Sequence, residues 1–179
     1  DFSLIKKANV IILCLPTPLK KNLNPDLSYI KKTFSKIRKY LKKKQLLCLE
    51  STSYPGTTRE VFYSYLNQKF KLGKNFYLGY SPERNDPGLT NLNINLIPKI
   101  VSGLTNNCAN FTKRIYQIIF KRTISVSSIE MAEMTKIYEN IYRAVNIGFV
   151  NEMKKISFKM NLDIDEIIAA AKTKPFGFK

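Results

Sequence analysis

Five short, almost uninterrupted apolar runs fix what this chain can become. They are NVIILCLP (9–16), QLLCLES (45–51), NFYLGYSP (75–82), PKIVSG (98–103) and TISVS (123–127). NVIILCLP, ended by a proline, has the look of a strand buried on both faces. Between the runs lie segments of helical spacing. PDLSYIKKTFSKIRKYLKKK (25–44) places Leu27, Ile30, Phe34, Ile37 and Leu41 on one stripe. TTREVFYSYLNQKF opens with Thr57 three residues before Glu60, a capping-box pattern, and TNNCANFTKRIYQIIF begins at Thr105, a second candidate cap. Strands alternating with helices predict an α/β fold, a doubly wound parallel sheet of Rossmann type. Residues 128–160 then read as one helix too long for a crossover, and LDIDEIIAAAKT (162–173) as another.

That long helix carries Lys136, Asn140 and Arg143, which at about 100° per residue fall within an arc of roughly 60°. The polar stripe runs into Ile147 and is flanked by Ala132 and Val150, whereas Ile141 should turn away into packing. A lysine and an asparagine one turn apart aim adjacent donors at one point, an arrangement suited to a developing oxyanion.

In open α/β sheets ligands bind outside the carboxyl ends of the strands. The segments there are CLPTPL, ESTSYPGTT and YSPERNDPG, each combining proline with small hydroxyl residues, and the third adding Glu83 and Arg84. Thr17 and Thr52 could equally be loop-stabilising hydroxyls, and Glu83 beside Arg84 a surface pair of little energetic value. Cys14, Cys48 and Cys108 are read as inert packing thiols, since buried thiols away from a base stay protonated. With no histidine and no CxxC pair, a cysteine–histidine zinc site is excluded, and a reducing cytoplasm fits the cysteine usage.

A formal charge of +17 invites a nucleic-acid reading. Its make-up argues for general solvated basicity instead: the 30 basic residues are mostly lysines spread along the chain, while base readers favour arginine. The chain opens DFSLIKKANV and stops at TKPFGFK, which reads as an internal piece of a longer protein.

In order, CLPTPL, ESTSYPGTTRE, SPERNDPG, IPKIVSG, AEMTKIYENIYRAVNIGFVNE and TKPFGF resemble the nucleotide-sugar dehydrogenases of the UDP-glucose/GDP-mannose dehydrogenase family. The SPER and TKPFGF stretches look most like members that oxidise UDP-N-acetylglucosamine, or its galacto epimer, among the UDP-N-acetylhexosamines. The resemblance implies oxidation of C6 of the sugar to the acid with two NAD+ and one water, through a cysteine thioester. It implies a homodimer formed through the long helix 128–160, with no nucleic-acid or membrane partner and no metal. Residues 1–126 would be the later part of the NAD-binding Rossmann domain, and 127–179 the central helical dimerisation region. By position, Thr17 and Thr52 match cofactor-proximal threonines, with Thr52 also near the hydrolytic water. Glu83 matches an acid/base carboxylate, Lys136 and Asn140 the pair steadying oxygen charge at C6, and Arg84, Asn85, Arg143 and Lys174 substrate contacts. The family's GxGxxG motif and its catalytic cysteine loop do not occur in these residues. Two other readings stay open: a non-catalytic dimerising remnant, and a basic nucleic-acid-binding domain.

Overall fold

A computed structural model describes residues 1–84 and 96–176. The strands are β1 (Val10–Leu13), β2 (Leu46–Leu49), β3 (Tyr77–Tyr80), β4 (Lys99–Gly103) and β5 (Thr123–Ser125). The helices are α1 (Ser28–Ile37), α2 (Ser64–Lys69, entered through a π-helical turn, Arg59–Tyr63), α3 (Asn106–Tyr116), α4 (Ile129–Lys159) and α5 (Ile164–Lys172). The chain forms two compact units, Asp1–Ile137 and Tyr138–Lys179. α4 begins in the first and continues in the second.

In the first unit the sheet order is β1-β2-β3-β4-β5. β1, β2 and β3 are parallel, as are β4 and β5, but β4 runs antiparallel to β3, pairing Gly79 with Gly103 and Tyr80 with Ser102. The sheet is mostly parallel, as expected, with one antiparallel pairing at β3–β4. A parallel return needs a crossover, usually helical, and no stretch of helical spacing separates NFYLGYSP from PKIVSG.

Alternation along the strands divides the core. Leu47, Leu49, Leu78, Tyr80 and Ile100 join α1 and the α2 segment through Ile30, Phe34, Ile37, Phe62 and Leu66. Leu46, Cys48 and Val101 face the other way, against Tyr116 and Phe111 of α3. Helices thus cover both faces of the sheet. β2 is buried on both, whereas Ile12 in β1, the sheet's first strand, is 42% exposed. α3 lies so close to β4 that a Cβ on Gly103 would run into the backbone of Cys108 and Ala109. Thr105 caps α3 as expected, accepting from Cys108 N–H at 3.2 Å.

The capping box at Thr57 does not form. The Thr57 hydroxyl donates to the Tyr54 carbonyl (2.7 Å), and Glu60 accepts from the Tyr54 hydroxyl and Lys31. The two amides that such a box would satisfy go to backbone carbonyls instead, Thr57 N–H to Tyr54 (3.1 Å) and Glu60 N–H to Gly56 (2.8 Å).

In the second unit every residue from Ile141 to Val150 is exposed. Ile141, expected in packing, is open to solvent because this unit holds only the remainder of α4 and α5. Among the described residues no helix is long and apolar enough to cross a membrane.

Candidate functional site

The loops after β1, β2 and β3 meet at the carboxyl edge of the sheet. Leu15 N–H donates to Ser51 Oγ (2.8 Å), and the Thr17 hydroxyl to the Thr52 carbonyl (2.6 Å). The two threonines singled out from sequence are therefore in direct contact, and Thr17 also stabilises the loop pair. Beside Thr52, Ser53 Oγ is buried without a hydrogen-bond partner. Such an orphan donor fits a polar ligand oxygen. The fit to a dinucleotide is partial: these 179 residues contain no GxGxxG phosphate cradle.

At the same edge, the Glu83 carboxylate accepts from Lys99 Nζ at 3.0 Å. Lys99 opens β4, is 3% exposed, and lies 3.5 Å from Glu50 Oε1. Tyr116 and Cys14 also reach Glu50, Cys14 with Sγ 3.7 Å from Oε2. Glu83 thus pairs with a buried lysine from β4. Arg84 donates to the Pro98 carbonyl at 2.7 Å. Cys14, expected among buried packing thiols, is exposed at the strand end. Partial burial and then the Glu50 charge raise its pKa, so it stays a protonated thiol. Cys48 and Cys108 are buried, and burial pushes the Cys48 thiol up to about 12.

Sequence reasoning missed Glu133. It is fully buried at the start of α4. Its Oε2 accepts from Gly56 N–H (2.5 Å), and its Oε1 from Thr58 N–H (2.8 Å) and the Thr58 hydroxyl (2.7 Å). Gly56 has φ +98°, a conformation glycine adopts without penalty. Next to it, Arg59 donates to Glu130 at 2.8 Å. A signal was present: Glu133 follows buried Ile129 and Ala132 on the core stripe of α4, and a carboxylate there demands partners.

Burial raises the Glu133 carboxyl above the ordinary range, against the pull of the Thr58 and Gly56 donors. Folded Glu133 therefore keeps its proton to higher pH than the unfolded chain. From the ordinary carboxylate range up to that raised value the native state binds more protons, and stability falls as pH rises. Glu60 and Glu130 act oppositely. The Tyr54 and Lys31 hydrogen bonds lower Glu60. In Glu130, partial burial is the largest single influence and raises the carboxyl, but the Arg59, backbone and Ser128 hydrogen bonds and the Arg59 charge together outweigh it and leave it lowered. Their contributions are lost as pH falls below the ordinary range, and are small because both are screened by solvent. Melting temperature should thus decline on both sides of the ordinary carboxylate range. Glu133→Gln should remove the decline towards higher pH and keep the acid one; an unchanged decline in that variant would assign the slope to another group.

Lys136 lies half-buried on α4, in the first unit. In the second unit, Arg143 donates to Asn140 Oδ1 at 2.8 Å, and Lys174, past the end of α5, is exposed with Nζ 4.8 Å from the Phe176 ring centroid. Asn85 lies outside the described residues. Among the described residues no group of three or more histidine, cysteine and acidic side chains could hold a metal ion.

Residues 1–120 match the UDP-glucose/GDP-mannose dehydrogenase family's NAD binding domain, and 130–179 its central domain. A UDP-N-acetyl-D-glucosamine 6-dehydrogenase of Pseudomonas aeruginosa is 38% identical over 95% of this chain and 41% of its own length. A UDP-N-acetyl-D-mannosamine dehydrogenase of Methanocaldococcus jannaschii is 32% identical over 95% of the chain and 39% of its own. The solved UDP-D-ManNAc dehydrogenase of Pyrococcus horikoshii superposes with a TM-score of 0.90 at 30% identity, covering all of this chain and 43% of the other. The chain spans 39–45% of the length of the curated relatives it matches. With its sheet edge and both matches in register along the sequence, the chain belongs to the UDP-glucose/GDP-mannose dehydrogenase family.

Proposed function

We propose that this chain forms part of a cytoplasmic NAD-dependent dehydrogenase that oxidises C6 of a UDP-N-acetylhexosamine to the uronic acid. The observation that carries the reading is the convergence of Thr17, Thr52 and Glu83 on one carboxyl edge of the sheet, within the residues matching the NAD binding domain. When bound, NAD+ supplies the hydride acceptor. Thr17 and Thr52 bind on the cofactor side, Glu83 moves a proton at an oxygen (hydroxyl or water) beside the reacting carbon, and Lys136 and Asn140 steady negative charge on that carbon's oxygen. Arg84, Asn85, Arg143 and Lys174 hold the sugar nucleotide. Residues 1–126 act as the cofactor domain and 127–179 as the central one. The uncovered apolar side chains of the second unit, among them Ile141, Val145 and Phe149, support a homodimer through 128–160.

The test is NADH formation by the full-length protein with UDP-N-acetylglucosamine, its manno epimer and its galacto epimer in turn, with the uronic acid identified by mass. Turnover with at least one is expected. No NADH with any of the three would reject the reading.

A further inference from the structure

Lys99 lies in IPKIVSG, one of the stretches that carry the family resemblance, but no role follows for it from the sequence; in the structure it is the buried centre of the charged cluster at the sheet edge. Its ammonium is 3.0 Å from Glu83 and 3.5 Å from Glu50, and its Nζ lies 5.4 Å from the ring centroids of Tyr116 and Phe120. The antiparallel return of β4 creates this arrangement. Continuing the register Gly79–Gly103 and Tyr80–Ser102 outward brings position 83 opposite position 99. Glu50 sits one residue past β2, held by the Tyr116 hydroxyl and the Cys14 thiol. Glu83 has its side chain half exposed, towards solvent beyond the strand ends.

We propose that Lys99 is a positioning residue for the reaction: its buried ammonium, shared by Glu50 and Glu83, fixes the Glu83 carboxylate at the sheet edge. Two carboxylates gathered at one point repel, and a cation between them holds them in place. A general base must be within reach of the proton it accepts. Lys99 meets that need. It sits where arriving substrate does not compete for it, since its side chain is 4% exposed. The inference rests on the proton-transfer role proposed for Glu83.

The experiment is steady-state kinetics of the full-length protein with NAD+ and its best UDP-N-acetylhexosamine, for wild type and three variants, each checked by circular dichroism. Lys99→Met should lower kcat about 100-fold, the scale of a general base, with both KM values within about 3-fold. Lys99→Arg, which keeps the charge and can fork two carboxylates, should recover to within about 10-fold of wild type. Lys99→Met with Glu50→Gln removes the uncompensated buried charge, and replaces the single variant should that one fail to fold. It should fold and remain about 100-fold slow. Wild-type turnover in either Met variant overturns the inference while leaving the dehydrogenase reading intact. So does an Lys99→Arg protein that is folded and as slow as Lys99→Met. An inactive wild type overturns both.

Discussion

Replacing Glu133 with alanine should cost about 3 kcal/mol or more, because two buried donors and one half-buried donor lose their acceptor at once. Gly56 N–H, Thr58 N–H and the Thr58 hydroxyl all point at this carboxylate, and each unsatisfied buried group costs about 1–3 kcal/mol. The loss reaches beyond one contact. Glu133 holds the Gly56 and Thr58 amides at the amino end of the helical segment through Phe62 and Leu66, so that segment loses its satisfied start, and with it packing against Phe34. For a chain of this size about 3 kcal/mol corresponds to a melting temperature lower by roughly 6–12 °C. Glu133→Gln should lose about half as much, since its amide oxygen serves Thr58 while its NH2 faces the Gly56 donor. Urea titration of the three proteins gives the comparison. An alanine variant within about 1 kcal/mol of wild type would show that water replaces the carboxylate without penalty.

Lys136→Ala should reduce turnover of the full-length protein by about 100- to 1000-fold, the range for loss of one oxyanion donor. KM values should move little, because the ammonium acts on charge that appears in the transition state. The structure adds a reason for the side chain to be well placed. Lys136 follows Glu133 by three residues on α4, and Glu133 ties that turn to the loop after β2. Lys136 is only half-buried, so folding should be retained. A variant with wild-type kcat removes Lys136 from the charge-stabilising role. One with raised KM and unaltered kcat makes it a binding residue instead.

How much of this was legible in the sequence depended on whether the signal was local. The five strands stood out because continuous apolar runs bounded by turns have few alternatives, and α4 because its spacing persists across 31 residues. Thr105 was found as a cap because its hydroxyl meets an amide three residues on. The same local pattern misled at Thr57, whose hydroxyl and amide both turn back to the Tyr54 carbonyl while the Glu60 carboxylate takes Tyr54 and Lys31 as donors. Thr17 and Thr52 could be selected from sequence as candidates, but not their contact with each other, which requires adjacent strands. Lys99 was invisible because a lysine at the head of an apolar strand reads as its solvated end. Only the reversed direction of β4 shows that two carboxylates await it.

The cap that Glu133 places on Gly56 has a consequence in time. The two residues are 77 positions apart. A ribosome adding roughly 5–20 residues per second makes Gly56 about 4–15 s before it makes its acceptor. During that interval the loop carrying Thr52 and the helical segment behind it exist with an open amino end. A nascent chain stopped short of residue 133 should therefore be cut by protease near 56–58 more readily than one released after it. The strand that supplies the edge of the site is laid down early, and the loop that makes it specific is locked only when the long helix begins to emerge.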